Sequence, residues 1–410
     1  MKFIYALAAG FALLVAEKPA AAFTGPPARV SVLTMGPGDH PFARFGHNAI
    51  VLEWPRQAAV VYNFGTFAFD GLQGVEDFMA GRFRYWLSVS SLARTLGFYE
   101  RQERSLVAQE LELTAEERGR LAEALLQNSL PENKFYNYDY YLDNCSTRVR
   151  DAVDKLLDGE LARQFQGAPG RLTFREHTER LTAGAGWLYF GLDLALGPLT
   201  DRPTTRWNDL FVPGELHDAL AHAKRKLNGA EVPLVRAEHV LLRDARPEML
   251  RDPPARVPLF AGLGLVLGGG FAGLGHLAAR KRLARVAFGV LSSLFGFVLG
   301  LLGTIFVVFW AFTKHWSAYR NENILVCPPW ALPLLVLGVG VALGRTKARA
   351  LSHRVLTLAA LGAALALLLA IVPGFGQDNT RVAALLAPLW LGLYAGSAFL
   401  EGRPLWPPFK

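Results

Sequence analysis

The stretch YNYDYYLDNCSTRVRDAVDKLL, residues 136–157, carries Cys145, one of two cysteines in the chain. Val149, Val153, Leu156 and Leu157 follow it at helical spacing, so an amphipathic helix starts at the cysteine. Asp143 or Asn144 is a suitable N-cap. A thiol in the first helical turn meets unpaired backbone N–H groups and the positive end of the helix dipole, and both favour the thiolate. A cysteine that only filled a core would sit deeper in the apolar stripe. Three readings stay open: a reactive thiol, half of a disulfide with Cys327, or packing. A nucleophilic thiol needs a base. Among His40, His47, His177, His217, His222 and His239, His47 stands out, because in ARFGHNAIVLEW it follows a glycine at the head of a strand. Taken singly, each histidine reads as a surface or satisfied core residue. There is no His-x₃-His or Cys-x₂-Cys spacing for zinc, no phosphate loop and no dinucleotide fingerprint, so no metal and no cofactor is expected.

The elements around these residues read as α+β. PARVSVLTMG is a strand entering a Gly/Pro turn. HNAIVLEW and AAVVYNFGTFAF are strands joined across PRQ as a hairpin. FRYWLSVSSL and ERSLVAQELEL add two more. Thr114 and Glu117 have capping-box spacing ahead of a helix whose apolar face includes Leu121 and Leu125. Residues 172–181 and 214–226 read as helical. Residues 186–197, GWLYFGLDLALG, are apolar around one Asp; a buried core helix is the ordinary reading, an acyl groove or a bilayer contact the sharper one. No internal repeat occurs.

The chain has 410 residues and a net charge of +8. A basic balance first suggests nucleic acid. Here the excess lies in short loops between apolar segments, so membrane topology explains it and no nucleic-acid partner is expected. From about residue 257 the composition turns to Leu, Val, Ala, Gly and Phe, after the Pro-rich break RDPPARVPL. On a window of about 19 residues, five spans are expected at residues 257–277, 286–312, 330–344, 355–372 and 382–400. The basic segments 280–285 and 345–354 are placed in the cytoplasm by the positive-inside rule. The first span then runs inward and the preceding domain is exported. Residues 1–22 agree: Lys2, a short apolar run at 3–15 and the small residues of KPAAAF read as a signal peptide cleaved near Ala22, with an uncleaved N-terminal anchor as the alternative. The expected organisation is a signal peptide (1–22), an exported α+β domain (23–254) and a helical membrane domain (255–410).

FGHNAIVLEW, VYNFGTFAFD, FYNYDYYLDNCSTRVRDAVD and LDLALGPLTDRPTTRWNDLFVPGELHDAL resemble the exported domain of the DUF4105 family, which includes the Lnb-type bacterial lipoprotein N-acyltransferases. The resemblance covers most of residues 29–226. It implies a circularly permuted papain/NlpC-P60-like fold, in which the histidine strand precedes the cysteine helix. It also implies a thiol acyltransferase in the bacterial inner membrane, multi-pass, with its catalytic domain facing the periplasm. Cys145 would take an acyl chain from a membrane phospholipid as a thioester and pass it to the α-amine of a diacylglyceryl-cysteine lipoprotein, with His47 as base. The bilayer, the phospholipid and the lipoprotein are the implied partners. In this scheme the His47–Cys145 pair rests as an ion pair, and the N–H groups of Cys145 and a neighbour hold the oxyanion. Asn63 is the expected orienting partner of His47, or a buried Asn holding a turn. Tyr138, Asp139 and Asn144 are substrate-contact candidates or loop structure, as is Asn137. Arg44 and Arg148 are candidate forks for a lipid phosphate, or solvated surface arginines. The competing functions are an NlpC/P60-like cysteine amidase or peptidase of the cell envelope, and a membrane-anchored protein without catalysis.

Overall fold

The computed structural model describes residues 25–405 apart from 68–73, 75, 78, 245, 247, 373 and 374. The expected signal peptide lies outside the described residues. The chain forms two compact units, Met1–Thr182 with Pro203–Arg251, and Ala183–Arg202 with Asp252–Lys410. The boundary therefore differs from the expected one. Residues 183–202 leave the α+β unit and join the helical one.

The first unit holds the strands β1 (Arg29–Met35), β2 (His47–Glu53), β3 (Val60–Thr66), β4 (Arg84–Ser91), β5 (Leu106–Leu111), β6 (Phe135–Asn137), β7 (Lys224–Leu227), β8 (Ala230–Pro233) and β9 (Val235–Leu242). Seven of them make one antiparallel sheet in the order β6-β4-β3-β2-β1-β5-β9, and β7–β8 is a separate hairpin. The helices are α1 (Leu92–Arg101), α2 (Ala115–Ser129), α3 (Cys145–Leu156), α4 (Glu160–Phe165) and α5 (Phe174–Thr182). After α6 (Gly186–Ala195), which belongs to the second unit, come α7 (Arg206–Asp209) and α8 (Pro213–His222).

Strand alternation sorts the sheet's two faces. Ile50, Leu52, Val60 and Tyr62 share a core with Leu121 and Leu125 of α2 and Val149 and Val153 of α3. Ala49, Val51 and Val61 share the opposite core with Phe98 and Tyr99 of α1. The capping box at Thr114 is present, with Glu117 N–H donating to Thr114 Oγ1 and the Glu117 carboxylate accepting from Thr114 N–H. Helix α1 was not legible. FRYWLSVSSL read as a strand to its end, but Ser91 stops it by accepting from Arg94 N–H as an N-cap. The helix expected over 214–226 ends at His222. Arg225 is instead buried against the Glu117 carboxylate at 2.6 and 2.8 Å, which holds 224–227 as a strand.

The second unit contains α9 (Val257–Ala278), α10 (Arg282–Phe312), α11 (Leu334–Ala342), α12 (Thr346–Leu369) and α13 (Thr380–Glu401). Among the described residues four helices are long and apolar enough to cross a membrane, or five if Glu322–Ala331 and Leu334–Ala342, bent by 55°, count as one span. The straight third span expected at 330–344 is thus replaced by a broken one. Pro328, Pro329 and Pro333 lack the N–H that a continuous helical ladder requires. Residues 345–354 are also not a loop, since α12 begins at Thr346. Long basic side chains can line a helix end and reach the interface. Helices α9 and α13 pack backbone to backbone: a Cβ on Gly275 would lie 2.2 Å from Gly396 Cα, the close approach small residues permit in a bilayer. The segments after α10 and before α13 share one end of the bundle, because Gln377 Nε2 donates to Asn321 Oδ1 at 3.1 Å. The basic starts of α10 and α12 lie at the other helix ends. Both cysteines are free thiols, Cys145 in the core of the first unit and Cys327 in that of the second, so the disulfide alternative does not form.

Candidate active site

Cys145 is the first residue of α3 and is 7 % exposed. Asn144 is the cap. Its Oδ1 accepts from Ser146 N–H and Thr147 N–H at 2.9 Å each, and Thr147 Oγ1 accepts from Asn144 N–H at 2.7 Å. The same side chain reaches outward: Asn144 Nδ2 donates to the carbonyls of Tyr140 and Phe211, both at 2.9 Å. Ser146 Oγ donates to Leu210 O at 2.7 Å, and Arg150 to Trp207 O at 2.9 Å. The start of the helix is therefore pinned to a segment some sixty residues later in the chain. That segment is itself fixed by Asp209, which accepts from buried His177 at 3.2 Å and from Arg171 N–H at 2.8 Å. Arg180 donates to the other ring nitrogen of His177 and to Glu215. His177 is thus a buried structural residue, where the sequence showed only a charged helix.

His47 opens β2, paired with Met35 of β1. Gly46 precedes it with φ +82°, and a Cβ there would lie 2.9 Å from Met35 O, so the approach to His47 requires glycine. The ladder between β2 and β3 runs only from Leu52↔Val60 to Ile50↔Tyr62. Beyond it β3 changes register against β4 between Asn63 and Thr66, and Gly65 has φ +88°. The strands part there, and Cys145 sits beside the parting. A Cβ built on Gly65 would be 3.4 Å from Cys145 Cβ, 3.5 Å from Tyr138 Cε2 and 4.0 Å from His47 Cε1. One glycine thus marks the point where Cys145, His47 and Tyr138 converge. Asn48, next on β2, turns its backbone N–H to the Cys145 sulfur, together with the N–H groups of Ser146 and Cys145 itself.

Asn63 neighbours His47. Its Nδ2 donates to Ser90 Oγ at 3.3 Å, and Ser90 Oγ meets Thr95 Oγ1 at 2.9 Å. Asn63 Oδ1 is buried without a hydrogen-bond partner. Burial and the Arg104 guanidinium push the His47 pKa down to about 3, and the polar Asn63 side chain opposes them. Burial raises the Cys145 thiol, against the pull of the three N–H groups and of Arg104. Desolvation disfavours both charged forms. Burial therefore works against the expected ion pair at both partners. Arg104 escaped the sequence reading altogether. It is 1 % exposed, donates Nε–H to Gly36 O at 2.8 Å and stacks over Tyr99 at 4.7 Å; its Nη2 is buried without a hydrogen-bond partner.

The aromatic approach to Cys145 divides by alternation. Tyr138 stacks on Tyr85 with centroids 4.0 Å apart, and Phe67 and Phe83 pack behind Tyr85. These rings form a wall beside the thiol. Tyr140 and Leu142 are exposed. Asp139 Oδ1 accepts from Tyr141 N–H and Leu142 N–H at 2.9 Å each, so it shapes the turn into the nucleophile. Asn137 ends β6, away from the convergence at Gly65. Arg148 is committed to Asp143 in a two-pronged pair and lies 4.0 Å over the Tyr136 ring. Arg44 is half-buried after the short turn at Pro41–Ala43, within electrostatic reach of Asp39. The structure thus brings together Cys145, His47, Asn63, Asn144 and Tyr138. Gly65, the Asn48 N–H, Arg104 and the 209–211 segment were missed; of these only Gly65, a lone glycine inside a strand pattern, left a signal.

Residues 18–180 match the family model described as the Lnb N-terminal periplasmic domain. No curated protein and no solved structure matched. The matched region carries Cys145, His47 and Asn63; the segment at 209–211 that anchors the nucleophile lies beyond it. The match covers the N-terminal part of the chain as a periplasmic domain, and the apolar helices that follow it are those of a membrane protein by length and composition.

Proposed function

We propose that the chain is a lipoprotein N-acyltransferase of the bacterial inner membrane, working through a thioester on Cys145. The observation that carries this reading is the convergence at one point of a helix-start thiol, an imidazole and three backbone N–H groups. A neutral histidine is the form that can accept a proton. In the first half-reaction the Cys145 sulfur attacks an ester carbonyl of a phospholipid while His47 takes the thiol proton. The carbonyl oxygen becomes an oxyanion, for which the N–H groups of Cys145, Ser146 and Asn48 are the nearest donors. Collapse breaks the ester C–O bond, and the lysolipid oxygen leaves with the proton from His47. In the second half the α-amine of a diacylglyceryl-cysteine lipoprotein attacks the thioester. His47 takes the amine proton, the C–S bond breaks, and the proton returns to sulfur. Asn63 holds the ring orientation through both halves.

A histidine strand preceding a cysteine helix is compatible with a permuted papain-type arrangement. Apolar spans suit the substrates. Drawing a lipid chain into water costs about 0.8 kcal/mol per CH₂, which a membrane-held enzyme avoids. The test uses purified full-length protein with a phospholipid of one defined acyl composition. Intact-mass analysis is expected to show one acyl mass on Cys145, removed by neutral hydroxylamine and absent from Cys145→Ser. Lipoprotein N-termini from cells relying on Cys145→Ala should lack the N-acyl group. Absence of acyl-protein and of lysolipid, with hydrolysis of cell-wall peptides instead, would replace this reading by the amidase one.

A further inference from the structure

Helix α6 is built inside out for water. A helix on an aqueous surface buries its apolar stripe and shows charge, as α2 does with Leu121 and Leu125 inward and Glu116 and Glu123 outward. In α6 the inward residues are Tyr189, Asp193 and Leu194. Asp193 is 1 % exposed and accepts from Arg381 Nε at 3.2 Å. The outward residues are Trp187, which is 71 % exposed, Gly191, and the part-exposed Leu188 and Leu192. No outward position carries a charge or a polar side chain. The single carboxylate of the helix points into protein.

The end of α6 is equally turned away from water. Its last carbonyls have no intrahelical partners and require others. Leu194 O accepts from Asn321 and Asn323, Ala195 O from Asn321, and Leu196 O from Gln377, all at 2.9–3.0 Å. Buried amides do here what solvent does for a surface helix. Contacts also fix the level of α6 along the bundle. Tyr189 and Phe190 pack on Phe260 in the first turn of α9, Arg256 lies 4.4 Å over Tyr189, and Arg381 is in the first turn of α13. Asn321 and Gln377 lie in the segments following α10 and preceding α13. Every partner is at the helix ends opposite the basic starts of α10 and α12, which is the periplasmic side under the positive-inside rule.

We infer that α6 is an in-plane membrane helix, lying in the periplasmic leaflet with Trp187, Leu188, Gly191 and Leu192 against lipid. At 10 residues and 1.5 Å per residue it is about 15 Å long, half the span of a bilayer core, so it lies in one leaflet and does not cross. The lipid contact continues the surface of α9 and α13, on which α6 is mounted. Tryptophan at a membrane–water interface is a favoured anchor. The chain leaves the periplasmic unit after Thr182 and re-enters it at Pro203, so this excursion adds a membrane attachment point distinct from the linker at Asp252.

The test is nitroxide accessibility in the full chain with Cys145→Ser and Cys327→Ala, reconstituted into phosphatidylethanolamine–phosphatidylglycerol vesicles. Single cysteines are placed by Trp187→Cys and Gly191→Cys, and by Arg320→Cys in the exposed loop after α10. Labels at 187 and 191 are expected to collide with oxygen several-fold more, relative to a nickel chelate, than the label at 320. Equal nickel accessibility at all three sites would overturn the inference. A second measurement leaves both native cysteines in place. Brominated lipid should quench tryptophan emission less in Trp187→Phe than in the native chain, and identical quenching would count against lipid contact.

Discussion

Asn144→Ala tests whether the nucleophile's place depends on its cap. The native side chain makes four hydrogen bonds of 2.9 Å: two accepted from Ser146 and Thr147 N–H and two donated to Tyr140 and Phe211 O. Losing an N-cap costs about 1 kcal/mol. Each buried carbonyl left without a donor costs about 1–3 kcal/mol. The sum is roughly 3–7 kcal/mol, against about 5–15 kcal/mol for a typical domain, so the start of α3 should loosen before the unit as a whole does. Amide hydrogen exchange of the full chain in nanodiscs reads this locally. Since about 1.4 kcal/mol is tenfold, exchange across 145–150 should accelerate by roughly a hundredfold or more where opening is local. Asn144→Asp separates the two functions. It keeps the acceptors of the cap but loses both donors and turns a carboxylate toward two carbonyls, so it too should accelerate exchange and slow acylation. If Asn144→Ala leaves exchange in 145–150 within about threefold of native, the cap and tether do not hold Cys145, and the positional argument fails.

Gly65→Ala puts a methyl 3.4 Å from Cys145 Cβ and 4.0 Å from His47 Cε1, at a φ of +88° that L side chains rarely adopt; acylation of Cys145 should fall about a hundredfold where relief of that strain moves the site by about 1 Å, and near-native acylation would refute the convergence. Arg104→Met removes a cation that lowers the pKa of both Cys145 and His47. The pH profile of Cys145 alkylation by iodoacetamide should move to higher pH, less so for Arg104→Lys, and an unmoved profile would exclude Arg104 from the site's electrostatics. Acid should destabilise the periplasmic unit in two windows. His47 and His177 have folded pKa values below the usual 6.5, that of His47 about 3, so the unfolded chain binds more protons and stability falls as pH drops below 6.5. Asp209 and Glu215 are held below their usual 3.8 and 4.5, with burial opposed by the His177 and Arg206 hydrogen bonds; their contribution is present above those values and is lost as pH falls through the folded ones. Hydrogen exchange measured against pH should show His47→Gln flattening the upper window, and an unchanged slope would count against a buried neutral His47.

Local rules were enough for some of this protein. Asn144 followed by Cys145 and a helical apolar stripe specifies a capped helix start, because a cap acts within a single turn. Thr114 and Glu117 likewise set the start of α2. The hairpin β2–β3 and the apolar runs of α9, α10, α12 and α13 follow from periodicity and composition, which are properties of short windows. The pairing of His47 with Cys145 came from the family resemblance, since a lone imidazole at a strand head does not name its partner.

Tertiary structure decided what depends on distant segments meeting. Gly65 matters because β3 leaves β2 just where α3 begins, and no window of sequence contains both events. The Asn48 N–H faces the sulfur only once the ladder has parted. Arg104 acts from the loop before β5, brought beside His47 by β1 lying between β5 and β2. The balance of charge at the thiol was likewise beyond composition: a helix start favours the thiolate, and burial of both partners, which only the fold produces, works against it. The same holds for GWLYFGLDLALG. Its residues are as apolar as those of a core helix, and only the inward aim of Asp193 toward Arg381 tells which of its faces was meant for lipid.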